Sequence, residues 1–237
     1  MDKWNGKVAV VTGASSGIGK ETCRQLVENG MIVVGFARRE DKLQELEKDL
    51  KGKLGAFYYV KVDLCSEENI LEAFNWVKRT LKSVDVLVNN AGVWKPSDLL
   101  GYTICSREAI QIMEEIKIKE GHIININSVA GHFQIPYMKD ISVYTATKHS
   151  VTSITENLRE LMAMKGLPIR VTSISPGAVE TEMTEELSKL GVNNMLKSID
   201  IAEAIIYALS APQRVNIAEV IIRPTGDNTL SFIKNFI

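Results

Sequence analysis

The sequence has few of the residues that mark disulfide-rich or metal-binding proteins. Its three cysteines stand far apart in 237 residues, and none belongs to a Cys-x-x-Cys pair. This spacing argues against a disulfide framework or a zinc site and favours reduced thiols in a cytoplasmic protein. The three histidines, His122, His132 and His149, also lack metal-ligand spacing and are interpreted as structural or surface residues. We therefore expect no metal.

Long apolar runs and an excess of one charge are absent as well. No segment approaches the roughly 18 consecutive apolar residues of a membrane span, and the first six residues lack the apolar stretch of a signal peptide. The formal net charge is −1 with both signs interspersed, which argues against nucleic acid or an anionic membrane as the main partner. Without linkers or repeats, the chain is predicted to be one soluble domain, residues 1–237.

What the sequence does contain is an alternation of short apolar runs and longer helical patterns. Strands are predicted at residues 7–11, 31–36, 56–62, 84–88, 122–127, 169–174 and 219–222. Helices are predicted at residues 17–29, 40–50, 66–81, 103–119, 143–164 and 199–210. This alternation, with strands rich in Val and Ile, indicates an α/β fold in which helices cover both faces of a parallel sheet.

A glycine-rich turn follows the first predicted strand. Residues 12–19 read TGASSGIG, directly behind an apolar run and at the start of a helical pattern. Such a turn presents backbone N–H groups and a positive helix end to a phosphate, and glycine permits the tight turn and the close approach. The predicted cofactor-binding residues here are Gly13, Ser15, Ser16, Gly17, Ile18 and Gly19.

Further polar or turn-forming residues follow the third to sixth predicted strands. In an open parallel sheet the ligand lies beyond the carboxyl ends of the strands, so these residues are expected to meet at one crevice. The residues predicted to contact a cofactor there are Asp63, Leu64, Asn89, Asn90, Ala91, Gly92, Pro176, Gly177, Val179 and Thr181.

Tyr144 and Lys148 are the candidate reactive pair. Their i,i+4 spacing puts both side chains on one helix face. An ammonium close to a phenol stabilises the phenolate and lowers the tyrosine pKa, so that Tyr144 can serve as a general acid or base to a carbonyl or alcohol. Ser128, at the end of the fifth strand, could hydrogen-bond the same oxygen. Taken alone, the pair would more often be a solvated helix pair.

Together these motifs resemble the short-chain dehydrogenase/reductase family in its form of about 250 residues. The resemblance runs from about residue 7 to residue 224. It implies a Rossmann-type, doubly wound fold with seven parallel strands, a nicotinamide cofactor and hydride transfer at a carbonyl carbon. It also implies roles for three residues: Tyr144 exchanges the proton, Lys148 binds the nicotinamide ribose and tunes Tyr144, and Ser128 positions the substrate oxygen. A homodimer or homotetramer is implied too.

Two segments carry a closer resemblance. Residues 121–128 and 221–225 look like the insect farnesol-dehydrogenase-like group and the vertebrate broad-specificity carbonyl and ketosteroid reductases. This resemblance implies a lipophilic carbonyl or alcohol substrate such as a terpenoid, retinoid or steroid. A substrate-covering loop is expected at about residues 179–198. Its apolar residues suit such a ligand, but they would serve an ordinary amphipathic helix equally well.

The end of the second predicted strand indicates the choice of cofactor. Enzymes that prefer NAD place an acidic residue there for the ribose 2′-hydroxyl. Here the strand is followed by Arg38 and Arg39, with no carboxylate before Glu40. Guanidinium groups suit a 2′-phosphate, so NADP(H) is predicted. The two arginines could also be a solvated pair at a helix start.

The sequence departs from the family pattern in one place. The family has a catalytic asparagine about twenty residues after its Asn-Asn-Ala-Gly motif, but no asparagine lies between Asn90 and Asn125. About fifteen to twenty residues are missing at the join between Leu100 and Gly101. Either a mobile loop is left out of the sequence, which is the favoured explanation, or the shortening is real. The predicted function is an NADPH-dependent carbonyl reductase. The alternative is a non-catalytic NADPH-binding protein.

Overall fold

The structure of the protein is a computed structural model that describes residues 1–92, 98–133, 141–185 and 194–226. Its strands are β1 (Val8–Thr12), β2 (Ile32–Ala37), β3 (Ala56–Lys61), β4 (Val86–Asn89), β5 (Gly121–Ile126), β6 (Ile169–Pro176) and β7 (Glu219–Ile222). Its α-helices are α1 (Gly17–Glu28), α2 (Glu40–Leu50), α3 (Glu67–Leu81), α4 (Asp98–Glu115), α5 (Ile141–Met164) and α6 (Ser198–Ser210). Within this part of the chain, no helix combines the length and apolar character needed to cross a bilayer.

All seven strands pair in parallel in one sheet of order β3-β2-β1-β4-β5-β6-β7. The chain first moves outward from β1 to β3 and then returns to place β4 on the other side of β1. The carboxyl ends of β1 and β4 therefore border the crevice at which the strand order reverses. The predicted doubly wound, seven-stranded parallel sheet is confirmed.

The sheet separates two apolar layers. Successive side chains of a strand point to opposite faces, and β1 divides accordingly: Ala9 and Val11 pack in one cluster, and Val8 and Val10 in the other. Helices α1, α2 and α6 supply leucines and isoleucines to the first layer, whereas α3 and α4 supply the second. Both faces of the sheet are thus covered, which leaves the strand ends as the accessible place for a site.

The main differences from the predicted boundaries lie at α4 and β6. Helix α4 begins five residues before the predicted start and ends before Lys117, whose φ of +49° turns the chain while the Ile118 N–H donates to the Met113 carbonyl. Strand β6 continues to Pro176 because Ser175 and Pro176 still pair with β7. The prediction followed apolar runs, so it ended the strand before these last residues.

The suspected shortening lies inside α4. Leu100 and Gly101 are successive residues of this helix, which continues through the join and connects β4 to β5. The crossover therefore forms without an additional segment. The favoured explanation, that a mobile loop is left out of the sequence, stays a prediction.

His122 is buried near the start of β5 and its ring has one hydrogen-bond partner among the described residues. Its Nε2 lies 2.7 Å from the Thr172 hydroxyl, which itself donates to the Ile217 carbonyl, so Nε2 must carry the hydrogen. The Nδ1 atom is buried without a hydrogen bond. Burial, with smaller contributions from Arg170 and Lys3, holds the His122 pKa well below its usual value. His122 is therefore neutral in the folded protein.

We predict that the neutral state of His122 makes folding stability sensitive to acid. Below about pH 6.5 the unfolded chain binds a proton at His122 that the folded chain does not, so the free energy of unfolding falls by up to about 1.4 kcal/mol per pH unit. Urea unfolding at pH 7.5 and 5.5 measures this slope. His122→Asn should reduce the slope. An unchanged slope in His122→Asn would contradict the prediction.

Candidate active site

A cavity of about 910 Å³ opens at the carboxyl ends of the strands. It is lined by the residues that follow β1 to β6, by the start of α1 and by parts of α4 and α5. The predicted site residues that line it are Gly13, Ser15, Ser16, Gly17, Ile18, Arg38, Arg39, Asp63, Leu64, Asn90, Ala91, Gly92, Ser128, Tyr144, Lys148, Pro176, Gly177, Val179 and Thr181. The predicted convergence of the strand ends is thus present in the fold.

The glycine turn between β1 and α1 forms one wall of the cavity. Gly13 and Gly17 have φ values of +69° and +53°, in the left-handed region that favours glycine. A Cβ on Gly13 would lie 2.8 Å from Asn90 Nδ2 and 2.9 Å from Ala91 Cα. The turn therefore packs directly on the loop that follows β4, and α1 begins at this wall with its free N–H groups.

Asn90 and Thr12 tie the ends of β1 and β4 together. Asn90 Nδ2 donates to the Thr12 carbonyl at 2.9 Å. In return, the Thr12 hydroxyl accepts from the backbone N–H groups of Asn90 and Ala91 at 2.9 and 3.0 Å. These bonds satisfy the backbone at the point where strand order reverses and fix the loop after β4 against the glycine turn.

Arg39 brings a positive charge to the same wall. Its Nη2 donates to the hydroxyls of Ser15 and Ser16 at 3.0 and 2.6 Å, and its Nε lies 3.2 Å from the Ser15 oxygen. Its Nη1 donates to Glu182 Oε2 at 2.8 Å. A guanidinium and two hydroxyls therefore meet at one place, where each can donate to phosphate oxygens.

Ser128 lies between the ends of β5 and β6. Its hydroxyl accepts from the Ala130 N–H at 3.1 Å, capping the short 3-10 helix Val129–Gly131, and lies 3.5 Å from the Pro176 carbonyl oxygen. The cap holds the side chain at the cavity wall.

Lys148 is almost completely buried, with 5% of its surface exposed. A buried ammonium needs close polar or aromatic partners to offset its lost hydration. Lys148 Nζ donates to the Ile126 carbonyl at 2.9 Å and lies 5.7 Å from the centroid of the Tyr144 ring. The half-buried Tyr144 is one helical turn away on the same face of α5, as predicted from the spacing.

Tyr102 on α4 contacts the same group and was not predicted as a site residue. Its hydroxyl donates to the Ile126 carbonyl at 2.6 Å, and its ring centroid lies 5.7 Å from Lys148 Nζ. Only 3% of Tyr102 is exposed. No motif in the sequence marks Tyr102, because its place in the site comes from contacts with residues 126 and 148.

A buried amide network positions the helices that carry these side chains. Asn89 Nδ2 donates to the Asn125 amide oxygen at 2.9 Å and to the Ser106 hydroxyl at 3.0 Å. Asn125 Nδ2 donates to the Thr155 hydroxyl at 2.9 Å. The network thereby joins β4 and β5 to α4 and α5. These hydrogen bonds hold Tyr102 and Lys148 at their places on the two helices, while Asn89 Oδ1 is buried without a hydrogen-bond partner among the described residues.

Two predicted cofactor-binding residues lie behind the cavity wall. Asn89 is 1% exposed and belongs to the amide network. Gly19 packs inside the turn, where a Cβ would lie 2.3 Å from the Gly13 carbonyl oxygen and 2.5 Å from Asn90 Nδ2. Their surroundings show that they support neighbouring residues of the wall, and their assignment as cofactor-binding residues stays a prediction.

The predicted substrate-covering loop is only partly described. Residues 186–193 lie outside the described residues, including the predicted apolar residues Leu187 and Leu190. In the described part, Met183 lines the cavity, and Leu196 pairs with Val179 in an isolated β-bridge. Across the described residues, no group of three or more His, Cys, Asp or Glu side chains is placed to hold a metal ion.

Comparison with known proteins decides the family. The family model described as short chain dehydrogenase matches residues 7–190. The chain belongs to the short-chain dehydrogenase family. The family prediction is therefore confirmed.

The similar curated members of the short-chain dehydrogenase family include insect and vertebrate proteins. Farnesol dehydrogenase of Aedes aegypti is 42% identical, over 96% of this chain and 99% of the relative. Dehydrogenase/reductase SDR family member 11 is 41% identical in Gallus gallus, over 95% and 98%, and 38% identical in Homo sapiens, over 97% and 98%. These are the insect and vertebrate groups that the closer resemblance predicted.

Solved structures of short-chain dehydrogenases are similar along nearly the whole chain. A closed form of serine dehydrogenase complexed with NADP+ has a TM-score of 0.83 and 30% identity, over 93% of this chain and 96% of that one. A metagenomic short-chain oxidoreductase in complex with NADP has a TM-score of 0.77 and 30% identity, over 93% and 98%.

The alignment with the Aedes aegypti relative also bears on the shortening. It spans 245 positions, although this chain has only 237 residues in total. Some positions of the relative therefore have no counterpart here. This agrees with a chain that is shorter than its relatives and, in the structure, continuous through residues 100 and 101.

We predict that Tyr102→Phe lowers the free energy of unfolding by about 1 kcal/mol. The substitution removes the hydroxyl that donates to the Ile126 carbonyl but keeps the ring. Urea unfolding measures the change, and the exposed Tyr58→Phe is the matched control, with no loss expected. Equal effects of the two substitutions would show that the buried hydrogen bond does not stabilise the fold.

Proposed function

We propose that the protein is an NADP(H)-dependent oxidoreductase that reduces the carbonyl of a lipophilic ketone or aldehyde to an alcohol, reversibly. The observation that carries the proposal is that Ser128, Tyr144 and Lys148 line the same cavity as the glycine turn and Arg39. The proposed proton donor, the buried cation and the glycine turn therefore share one cavity.

The residues of the cavity fit a dinucleotide with a 2′-phosphate. The turn leaves no room for a Cβ at Gly13 and supplies backbone N–H groups for the pyrophosphate. Arg39, Ser15 and Ser16 offer donors for a 2′-phosphate. Two similar structures of 30% identity were solved with NADP+ or NADP, which supports the same choice of cofactor.

When bound, NADPH supplies the hydride that the carbonyl carbon accepts. The protein chain provides the proton and orients the substrate carbonyl group. Tyr144 gives its hydroxyl proton to the carbonyl oxygen, and Ser128 donates a hydrogen bond to that oxygen. The ammonium of Lys148, 5.7 Å from the Tyr144 ring centroid, stabilises the negative charge left on the phenol. Oxidation of an alcohol uses the same groups in reverse.

The lining of the cavity supports a lipophilic substrate. Leu64, Ile126, Val179 and Met183 line it beside the proposed reactive groups. The name of the Aedes aegypti relative, farnesol dehydrogenase, points to a terpenoid alcohol. Apolar side chains bind such a ligand by removing its surface from water, and the few polar groups then orient its oxygen.

The shorter α4 does not favour the alternative of a non-catalytic NADPH-binding protein. The expected asparagine is missing, but the side chains assigned to proton transfer are still brought together. Lys148 is held by the Ile126 carbonyl and lies close to Tyr102. The proposed reaction therefore has its proton donor, its cation and its oxygen-binding hydroxyl.

We predict that Tyr144→Phe abolishes turnover while NADPH binding is retained, because the ring stays but the proton donor is lost. NADPH oxidation with a panel of farnesal, retinal, steroid and dicarbonyl substrates measures turnover, and NADPH fluorescence measures binding. The exposed Tyr58→Phe is the control and should behave as the wild type. Turnover by Tyr144→Phe would refute the assigned role. Wild-type binding without turnover of any substrate would favour the non-catalytic alternative.

We also propose a homodimer or homotetramer in the cytoplasm. On α5, Val143, Leu161 and Met164 are 46%, 40% and 85% exposed, and an apolar groove of about 310 Å³ runs between α4 and α5. Burial of these side chains against a second copy would stabilise an oligomer. Light scattering should give a multiple of the chain mass, and Leu161→Glu should shift it towards the monomer. A monomeric wild type would contradict this proposal.

A further inference from the structure

Arg39 joins two sides of the cavity. Two of its nitrogens bind the hydroxyls of Ser15 and Ser16 on the glycine turn, and Nη1 donates to the carboxylate of Glu182 at 2.8 Å. Glu182 lies beyond β6 and opens the short 3-10 helix Glu182–Thr184. The cation assigned to phosphate binding therefore has a carboxylate of the same chain as one of its partners.

The segment that carries Glu182 is anchored. The Thr184 hydroxyl accepts from the Thr181 N–H at 3.0 Å and donates to the Val179 carbonyl at 2.5 Å. The Glu180 N–H donates to the Leu196 carbonyl at 2.8 Å. The carboxylate thus stands on a backbone held at several points, and Glu182, like Thr181 and Thr184, lines the cavity.

A carboxylate at this position opposes one kind of ligand. A 2′-phosphate bound at Arg39 would meet the Glu182 charge on the same guanidinium, and two anions that share one cation repel each other. A ribose with a free 2′-hydroxyl carries no charge at that position and does not compete. The effect of Glu182 therefore depends on the chemical group at the 2′ position.

We propose that Glu182 is a specificity-determining residue that competes with the 2′-phosphate for Arg39 and so limits the preference for NADP(H) over NAD(H). The inference rests on the proposed function, since it uses the cofactor assigned there. Arg39 makes the site favour NADP(H) over NAD(H), and Glu182 limits how large this preference is.

The solvent exposure of the Arg39–Glu182 ion pair sets the size of the expected change in affinity. The side chains of Arg39 and Glu182 are 43% and 57% exposed, so water and salt screen their attraction. Removal of an exposed ion-pair partner of this kind corresponds to about a two- to fivefold change in affinity. The change should shrink at high salt.

Calorimetric titration with two fragments, adenosine 2′,5′-bisphosphate and adenosine 5′-monophosphate, tests the proposal without catalysis. In Glu182→Gln, the bisphosphate should bind about two- to fivefold more tightly than in the wild type, and the monophosphate should bind equally well in both. Glu180→Gln is the matched control, because it removes the same charge from an exposed neighbour. It should leave both affinities unchanged.

Each outcome bears on a definite claim. The inference would be overturned if Glu182→Gln bound the bisphosphate as tightly as the wild type or more weakly. It would also be overturned if Glu180→Gln bound the bisphosphate more tightly by the same factor, because that would indicate a general effect of net charge. The inference would be supported if Arg39→Gln no longer bound the bisphosphate more tightly than the monophosphate and Glu182→Gln bound the bisphosphate more tightly than the wild type does. A wild type that binds neither fragment would overturn the proposed function and this inference with it.

Discussion

The buried ammonium of Lys148 is the constraint on which the arrangement of the site depends. An ion that has lost its water must be held by groups already in place, and here these include the Ile126 carbonyl and the rings of Tyr102 and Tyr144. The groups belong to β5, α4 and α5. All three elements must therefore pack correctly before the cation is stabilised, and the amide network beneath them secures that packing.

The side of the cavity assigned to phosphate binding is held by different interactions. Its wall is built from backbone, and its shape depends on glycine at positive φ and on the reciprocal bonds between Thr12 and Asn90. The two halves meet where β1 and β4 lie side by side, at the reversal of strand order. The sheet topology thus brings a rigid anion-binding turn and a buried cation to one cavity.

Much of this was predictable from local sequence. Strand positions follow from apolar runs, and Ser128, Tyr144 and Lys148 follow from their places at a strand end and on one helix face. Tyr102 and Glu182 were missed because their roles come from contacts distant in sequence: Glu182 pairs with a residue 143 positions away. Asn89 and Gly19 lie behind the cavity wall, which their motifs do not reveal, since a motif cannot tell a lining residue from one that supports the lining.

The shared acceptor of Tyr102 and Lys148 has a consequence for how the protein tolerates genetic change. The oxygen that both donate to belongs to the main chain of residue 126. No replacement of that side chain can delete it, so the anchor survives exchange among apolar residues at this position. It is lost only when the end of the strand moves, so the stability of the buried cation depends on backbone geometry, whereas the apolar side chain at residue 126 is constrained separately by packing in the core and at the cavity wall.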